Sequence, residues 1–171
     1  MEEKHSFGSY TLYAAAAVLL ILLDQITKQM AVQALSGGRV IPVIDRVLEL
    51  LYVENNGAAF GLLQNGHGLF YVITLIVCGG ILYTMIRMPK TAHYRPLAWT
   101  LTFIFAGAVG NLIDRVSHHY VVDFIYFMPI DWPVFNVADI YVSCGTAVLV
   151  LLLIFVYKEK DLEFFNDLSG R

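Results

Sequence analysis

Four apolar stretches, each long enough to cross a bilayer as a helix, constrain this chain more than any other feature of its sequence. They lie at about 10–31, 68–88, 96–113 and 136–157. A helix needs about 20 apolar residues to span roughly 30 Å of hydrocarbon, and it satisfies its backbone hydrogen bonds without help from water. The sequence therefore predicts an α-helical integral membrane protein in which residues 1–171 form a single membrane-embedded domain with four transmembrane helices.

Composition supports this fold class and excludes others. Of the 171 residues, 58% are hydrophobic and 15% are charged, whereas soluble domains carry about 25% charged residues. The net charge of −3 provides no basic surface, so we expect no nucleic-acid partner. Cys78 and Cys144 both fall inside apolar stretches, which predicts two buried free thiols rather than a disulfide.

The distribution of lysine and arginine predicts the orientation in the membrane. Seven of these residues lie on the side of the two termini and four lie on the other side. The first set is Lys4, Arg87, Lys90, Arg95, Lys158, Lys160 and Arg171, and the second is Lys28, Arg39, Arg46 and Arg115. Because the cytoplasmic ends of spans carry the excess of positive charge, we expect both termini in the cytoplasm and both longer loops outside.

The outer loop between the first two spans, residues 35–66, predicts short strands. Its segment "RVIPVIDRVLELLYVEN" mixes β-branched and aromatic residues with partial alternation, and "NNGAAFG" then supplies a turn signal. The second outer loop contains "HHYVVDFIYF", which also has the composition of an extended segment. The two loops together predict a small β-rich extracytoplasmic platform at the membrane surface.

A pair of opposite charges closes the first apolar stretch. Asp24 and Lys28 are four residues apart in "LLDQITK", so they lie on one helix face with the acid N-terminal to the base. One interpretation is an interfacial ion pair that marks the end of the helix. The alternative is a buried acid that supports a site, because ionisable groups within spans usually face protein or water.

The third stretch closes with a second group of polar residues in "GNLIDR". Asn111 is three residues from Asp114 and four from Arg115, so these side chains can converge on one helix face. Asp114 and Arg115 can also simply pair with each other at the helix end. Asn111 is harder to explain in that way, because an amide inside a span needs a partner.

Two further acids occur in the same outer region. Asp123 is flanked by apolar residues in "VVDFI", and an alternating strand would point it away from Val122 and Phe124, towards protein. Asp139 lies one turn into the fourth helix, three residues after Asn136. A carboxylate in the first turn interacts favourably with the helix dipole, so a capping role explains Asp139 on its own. It does not explain Asp123.

Two carboxylates on one side of a membrane can perform acid–base chemistry together. If they share one proton, one activates a water molecule as a base while the other acts as an acid. The adjacent His118 and His119 have no accompanying zinc-binding pattern, and neither a P-loop nor a serine-nucleophile motif occurs. We therefore expect no metal and no cofactor. The alternative function is a small proton- or ion-coupled membrane transporter, which would place its acids in the middle of the spans.

Five short motifs in this chain resemble those of bacterial lipoprotein signal peptidase (signal peptidase II). They are "LDQITK" at 23–28, "ENNGAAFG" at 54–61, "GNLIDR" at 110–115, "VVDFI" at 121–125 and "FNVAD" at 135–139. Each motif is weak alone, but five in this order and in this topological context are specific. The resemblance covers the four spans and both outer loops.

The resemblance implies an aspartyl endopeptidase of the bacterial cytoplasmic (inner) membrane, working near the outer face. Its substrates would be prolipoproteins that carry diacylglycerol on a cysteine, and it would cut immediately before that cysteine. The residues that match the motifs imply Asp123 and Asp139 as the catalytic pair. The implied supporting residues are Asp24, Asn55, Gly57, Asn111, Asp114, Arg115 and Asn136. We expect a monomer in contact with membrane lipids.

The orientation is tested by labelling single cysteines in a variant that lacks Cys78 and Cys144. A cysteine in place of His119 should react with a membrane-impermeant reagent added from outside. A cysteine in place of Lys90 should react only from the cytoplasmic side, because the charge bias places residue 90 there. The reverse labelling pattern would contradict both the orientation and the outward location of the aspartates.

Overall fold

Four long helices form the bulk of the protein in a computed structural model that describes residues 7–57 and 67–165. They are α1 (Phe7–Leu35), α2 (His67–Arg87), α3 (Arg95–His118) and α4 (Val137–Phe155). Within the described residues, all four are long and apolar enough to cross a membrane. The predicted class of helical membrane protein is confirmed. Lys4, Arg171 and residues 58–61 of the second motif lie outside the described residues.

Helix α3 is the centre of the bundle. It packs against α1, α2 and α4, and 56% of its apolar window is buried in protein, against 17% for α1 and 11% each for α2 and α4. Small side chains allow this central position, since Ala98 and Ala106 are almost completely buried. Helices in lipid associate through close packing of such small residues rather than through a hydrophobic driving force. The other helices therefore present broad apolar faces outward, where lipid covers them.

Gly107 sets the distance between α3 and α4. A Cβ atom at this position would lie 2.5 Å from the carbonyl oxygen of Ala138 and 2.7 Å from a methyl group of Val142. Any side chain would therefore push the start of α4 away from α3. Because Ala138 is adjacent to Asp139, this close approach also positions one of the two predicted catalytic acids.

Two helices extend beyond the apolar stretches from which they were predicted. Helix α1 continues to Leu35 rather than ending near residue 31, and α3 continues to His118 rather than ending near residue 113. Asp24 and Asp114 therefore lie inside helices rather than at their ends. The helices continue because these polar side chains are paired within the protein and need no contact with water. Helix α3 ends where His119 adopts a left-handed conformation with φ 67°.

The predicted platform is a three-stranded antiparallel sheet. Its strands, in sheet order, are β1 (Ile41–Ile44), β2 (Leu48–Asn55) and β3 (Val121–Phe127). Both outer loops contribute, as predicted, because β2 and β3 pair with Val53 opposite Asp123. Ala31, Leu35 and Phe124 form a small apolar cluster that attaches the sheet to the end of α1.

At the opposite end of the bundle, the chain after α4 folds back onto the segment before α3. The hydroxyl group of Tyr94 donates a hydrogen bond to the carbonyl oxygen of Asp161 (2.8 Å), and that of Tyr157 donates to the carbonyl oxygen of His93 (2.9 Å). The rings of Tyr94 and Tyr157 stack with their centroids 5.6 Å apart. These contacts join the ends of α3 and α4 that lie far from the sheet.

Both cysteines are free, but only one is buried. Cys78 is buried in α2, whereas Cys144 is exposed on α4. The prediction of two buried thiols is thus wrong for Cys144. The reason is that Gly145, and not Cys144, occupies the face of α4 that contacts Ile104 of α3.

The close approach at Gly107 predicts a matched pair of stability effects. Gly107→Ala should lower the free energy of unfolding by about 1–3 kcal/mol, since the added methyl group overpacks a backbone contact. Gly80→Ala is the control, because a Cβ there has no neighbour within 4 Å and alanine favours a helix more than glycine does. Thermal unfolding in detergent should show a lower midpoint for the first variant alone. Equal midpoints would show that α3 and α4 are not held together at Gly107.

Candidate active site

Asp123 lies in the middle of β3 with only 1% of its surface exposed. Both carboxylate oxygens accept hydrogen bonds from amides: Asn136 Nδ2 donates to Oδ1 (2.6 Å) and Asn55 Nδ2 donates to Oδ2 (2.7 Å). The prediction that Asp123 faces protein is confirmed. Val122 and Phe124 are buried as well, so this part of the strand is covered on both faces and simple in–out alternation does not hold here.

Asp139 lies in the first turn of α4, where it also caps the helix. Its Oδ2 accepts a hydrogen bond from the backbone N–H of Asn136 (3.1 Å), while Asn136 Oδ1 accepts one from the backbone N–H of Asp139 (3.0 Å). The capping interpretation is therefore correct, but it occupies only one carboxylate oxygen. The other oxygen, Oδ1, accepts a hydrogen bond from Asn111 Nδ2 (2.8 Å).

Asp139 is also open to a cavity of about 440 Å³ between α4 and the segment that precedes it. Asp139 is half-buried, so it is reached from this cavity, whereas Asp123 is enclosed by its amide partners. The other lining residues are Trp132, Pro133, Val134, Phe135, Ile140, Ser143 and Cys144. The walls are mainly apolar, so an apolar peptide segment or acyl chain would fit beside the carboxylate.

Asn136 connects the two acids. It is completely buried, its amide nitrogen contacts Asp123, and its backbone N–H contacts Asp139. The two carboxylates are separated by sixteen positions in the sequence, so their spacing could not show that they meet. In the structure, both carboxylates accept a hydrogen bond from Asn136.

Asn55 is held in a tight turn that aims its amide group at Asp123. Its Oδ1 accepts a hydrogen bond from the backbone N–H of Gly57 (2.8 Å), which leaves the NH₂ group free to donate to the carboxylate. Gly57 has φ +78°, and a Cβ there would lie 2.6 Å from the ring of Phe70. Glycine is therefore required both for the backbone conformation and for the space.

A buried ion cluster, formed by Lys28, Asp24 and Asp114, supports the site. Lys28 Nζ lies 2.9 Å from Asp24 Oδ2 and 3.0 Å from Asp114 Oδ2, and it donates to Asn111 Oδ1 at 2.9 Å. Lys28, Asp24 and Asp114 are each at least 97% buried. Asp24 is thus a buried acid, as one interpretation predicted, and the predicted ion pair with Lys28 is present as well. Asp114 pairs with Lys28 rather than with Arg115.

The two acids of this cluster each hold the backbone beside one catalytic candidate. Asp24 Oδ1 accepts a hydrogen bond from the backbone N–H of Ala138 (2.9 Å), directly before Asp139. Asp114 Oδ2 accepts one from the backbone N–H of Val122 (3.0 Å), directly before Asp123. The ion cluster thus positions β3 and the first turn of α4 relative to α1 and α3.

Arg115 has different surroundings from those expected. Its guanidinium carbon lies 4.9 Å from the ring centre of Phe70, and Tyr71 donates a hydrogen bond to its carbonyl oxygen (2.7 Å). Among the residues described, Arg115 forms no ion pair with a carboxylate within 4 Å, although the charges of Asp139 and Asp123 act on it. Asn111 and Asp114 converge on Lys28, and Arg115 does not join them.

Sequence reasoning missed three residues that help to build the site. Lys28 was assigned only to an ion pair, yet it contacts three side chains. Gln25 Nε2 donates to Asp24 Oδ2 (3.1 Å) and to Asp114 Oδ1 (2.9 Å). A Cβ at Gly110 would lie 2.6 Å from Asp24 Oδ2. The available signal was the presence of an amide and an ammonium group in an apolar stretch, since both need buried partners.

His118 and His119 lie outside this site. They occupy the end of α3, where the ring of His118 lies 5.6 Å from that of Tyr120. His118 is part of the helix rather than of the outer loop to which it was assigned. Across residues 7–57 and 67–165, no group of three or more histidine, cysteine or carboxylate side chains has the arrangement of a metal site.

Burial raises the pKa of Asp123 from the ordinary 3.8 to about 6. The loss of hydration is the largest cause, and the negative charge of Asp139 adds to it, while the hydrogen bonds from Asn55 and Asn136 act in the opposite direction. Asp123 can therefore hold or release a proton near neutral pH, as an acid–base catalyst must.

The family model described as "Signal peptidase (SPase) II" matches residues 16–155 of the chain. That range includes Asp123 and Asp139 and all of their described hydrogen-bond partners. The chain belongs to the signal peptidase II family.

Relatives support the same assignment. A protein named "Lipoprotein signal peptidase" from Streptococcus pyogenes serotype M1 is 39% identical over 150 residues, which cover 88% of this chain and 95% of the relative. Another of that name, from serotype M3 (strain SSI-1), is 38% identical over the same lengths.

Two solved structures are similar in fold. Both are described as a "Bacterial membrane enzyme structure by the in meso method", at 1.9 Å and 2.3 Å resolution. The first is 33% identical with a TM-score of 0.77 and covers 92% of this chain and 99% of its own. The second is 29% identical with a TM-score of 0.78 and covers 100% of this chain and 98% of its own.

Membership of the signal peptidase II family makes this membrane protein a protease that removes signal peptides from prolipoproteins. The four apolar helices fit the inner membrane of a bacterium. The resemblance carried by the five motifs is confirmed at the level of the family.

The electrostatic coupling of the two acids gives a prediction that needs no substrate. In Asp139→Asn, the loss of a neighbouring negative charge should lower the pKa of Asp123 below about 6. The carboxyl infrared band of Asp123, assigned by its loss in Asp123→Asn, would report the titration. Asp131→Asn is the control, because Asp131 is exposed and bonded to Tyr126. An unchanged or raised pKa in Asp139→Asn would show that the two charges do not interact.

Proposed function

We propose that this signal peptidase II is an aspartyl endopeptidase in which Asp123 and Asp139 form the catalytic pair. The substrate would be a prolipoprotein that carries diacylglycerol on a cysteine, cut immediately before that cysteine. The observation that carries the proposal is that two carboxylates from distant parts of the chain share one buried partner, Asn136. Such pairs hydrolyse peptide bonds without a covalent intermediate.

The two carboxylates differ in ways that suit different roles. Asp139 is half-buried beside the cavity, so it can remove a proton from a water molecule that enters there. Asp123 has a pKa of about 6, so it can supply a proton to the carbonyl oxygen as water attacks the carbon, once the substrate has displaced one of the amides that enclose it in the resting protein. When the tetrahedral intermediate collapses, the proton held by Asp139 passes to the leaving amine. Asp123 then recovers its own proton from the hydroxyl group of the intermediate.

The position of the pair suits a substrate anchored in lipid. The acids lie where α3 and α4 meet the sheet, at the end of the bundle that the charge bias places outside. A diacylglyceryl chain and an apolar signal sequence can remain in the membrane while the peptide bond reaches Asp139 from the cavity. Holding the bond against the water and both carboxylates would supply much of the rate enhancement.

A single chain contains the whole of this arrangement. Both acids, Asn136, Asn111 and Asn55 come from one copy of the protein. This supports activity as a monomer.

Asparagine substitutions test the catalytic pair. Asparagine is nearly isosteric with aspartate but cannot exchange a proton in this reaction, so Asp123→Asn and Asp139→Asn should each reduce turnover roughly a thousandfold or more. Members of one catalytic unit are not additive, so the double variant should be about as inactive as either single variant. The measurement is conversion of a diacylglyceryl prolipoprotein to its shortened form by purified protein, with thermal unfolding as a check on folding.

Asp131→Asn is the matched control for these substitutions. Asp131 lies after β3 in the same outer segment, accepts a hydrogen bond from Tyr126 (2.6 Å), and has φ 51°. Asparagine tolerates this left-handed conformation, so the variant should fold and cleave normally. Substantial cleavage by a folded Asp123→Asn or Asp139→Asn protein would exclude that residue from the mechanism.

A further inference from the structure

We propose that Lys28 is a positioning residue for the catalytic pair: its ammonium group fixes the amide of Asn111 in the orientation that directs an N–H at Asp139. This inference rests on the proposed two-carboxylate function and goes beyond it, because Lys28 touches neither acid of the pair. It would act on Asp139 through one intermediate side chain, and its charge also acts on Asp123 from a distance.

The geometry forms a continuous chain of hydrogen bonds. Lys28 Nζ donates to Asn111 Oδ1 at 2.9 Å, and Asn111 Nδ2 donates to Asp139 Oδ1 at 2.8 Å. An amide can turn by half a rotation and exchange its oxygen and its NH₂ group. An ammonium group has three donors and no acceptor, so it excludes the orientation in which the NH₂ group of Asn111 faces Lys28.

The orientation of Asn111 matters for the proton on Asp139. With the NH₂ group towards Asp139, the carboxylate form accepts a hydrogen bond at Oδ1, which favours that form. In the reverse orientation, two oxygens would face each other, and a proton on Asp139 Oδ1 would be needed to make the contact favourable. Lys28 therefore selects the state in which Asp139 can act as a base.

Asn111 is unlike the other two amides of the site in this respect. The carbonyl oxygens of Asn55 and Asn136 are held by the backbone N–H groups of Gly57 and Asp139, which remain whatever side chain is present. Of these three described amides, Asn111 has its orientation set mainly by a side chain. Asn136 Nδ2 also reaches Asn111 Oδ1, but at the longer distance of 3.2 Å.

Charged groups surround both ends of this chain of contacts. Asp24 of α1 and Asp114 of α3 face Lys28. Asp123 of β3 and Arg115 of α3 act on Asp139 through their charges. A test must therefore separate the orientation of the amide from a change in net charge.

The variant Lys28→Met with Asp114→Asn meets this requirement. It removes one positive and one negative charge, so the net charge of the cluster equals that of the wild type. Lys28→Met alone would leave both Asp24 and Asp114 buried without a cation, whereas the double variant leaves only Asp24 without one and should be destabilised less. Asp114→Asn alone keeps Lys28 and is the control for loss of the carboxylate. Thermal unfolding in detergent establishes that each variant is folded.

Two readouts are compared for wild type, Asp114→Asn and the double variant. The first is the acidic limb of the pH–rate profile for cleavage of a diacylglyceryl prolipoprotein. The second is the infrared carboxyl band of Asp139 in the resting protein, assigned with Asp139→Asn. In the double variant, the acidic limb should move to higher pH than in the wild type, and the carboxylate band of Asp139 should change in frequency, because Asp139 loses the hydrogen bond from Asn111. In Asp114→Asn, the limb should not move to higher pH and the band should keep its wild-type frequency, because Lys28 and Asn111 remain in contact.

The outcomes distinguish the two proposals. If the folded double variant shows the wild-type limb and the wild-type band frequency, Lys28 does not position Asn111 and the inference is wrong. If the band of Asp139 moves as expected but no protein, wild type included, cleaves the substrate, the role of Lys28 holds and the proposed peptidase function fails.

Discussion

The ammonium group of Lys28, enclosed by two carboxylates, is the interaction on which the rest of the site depends. Removing one partner from a buried ion pair leaves an uncompensated charge and costs about 3–5 kcal/mol, and loss of Lys28 would leave two such charges. Through Asp24 and Asp114 it reaches the backbone N–H groups beside both catalytic candidates. One cation thereby fixes the relative positions of α1, α3, α4 and β3.

Much of the architecture could be predicted from the sequence because the membrane restricts the alternatives. Length and apolarity identify the four helices, and the turn signals between them identify the strands. The ends of α1 and α3 could not be predicted in this way, because the apolar stretches end near residues 31 and 113 while the helices continue to Leu35 and His118. Asp114 lies within α3 because Lys28 pairs with it, and that contact joins residues far apart in the chain. The outward direction of Cys144 depends in the same way on which face of α4 meets α3.

The sequence predicted which residues form the candidate site but not how they contact one another. Five motifs indicated which residues to consider, yet nothing in their spacing shows that Asp123 and Asp139 meet on Asn136. That contact requires β3 to pair with β2 and α4 to approach α3 at Gly107. Gln25 was missed for a related reason, since an amide in an apolar stretch indicates that it needs a buried partner but not which residue that partner is.

The amides around the acids also explain how two carboxylates can remain able to exchange a proton. Asn55 and Asn136 supply donors to Asp123 without adding positive charge, and Asn111 does the same for Asp139. A lysine or arginine in direct contact would hold a carboxylate ionised far below neutral pH. Neutral donors keep the geometry of the pair fixed while its proton stays exchangeable.

The capping of α4 by Asp139 has a mechanical consequence. The oxygen that receives the backbone N–H of Asn136 belongs to the same carboxylate that would take a proton from water. A neutral carboxylic acid is a weaker acceptor than a carboxylate. The hydrogen bond from Asn136 to Asp139 would therefore weaken when Asp139 takes up a proton and strengthen when it releases one. Each catalytic cycle would thus weaken and then restore one of the hydrogen bonds that cap this membrane helix.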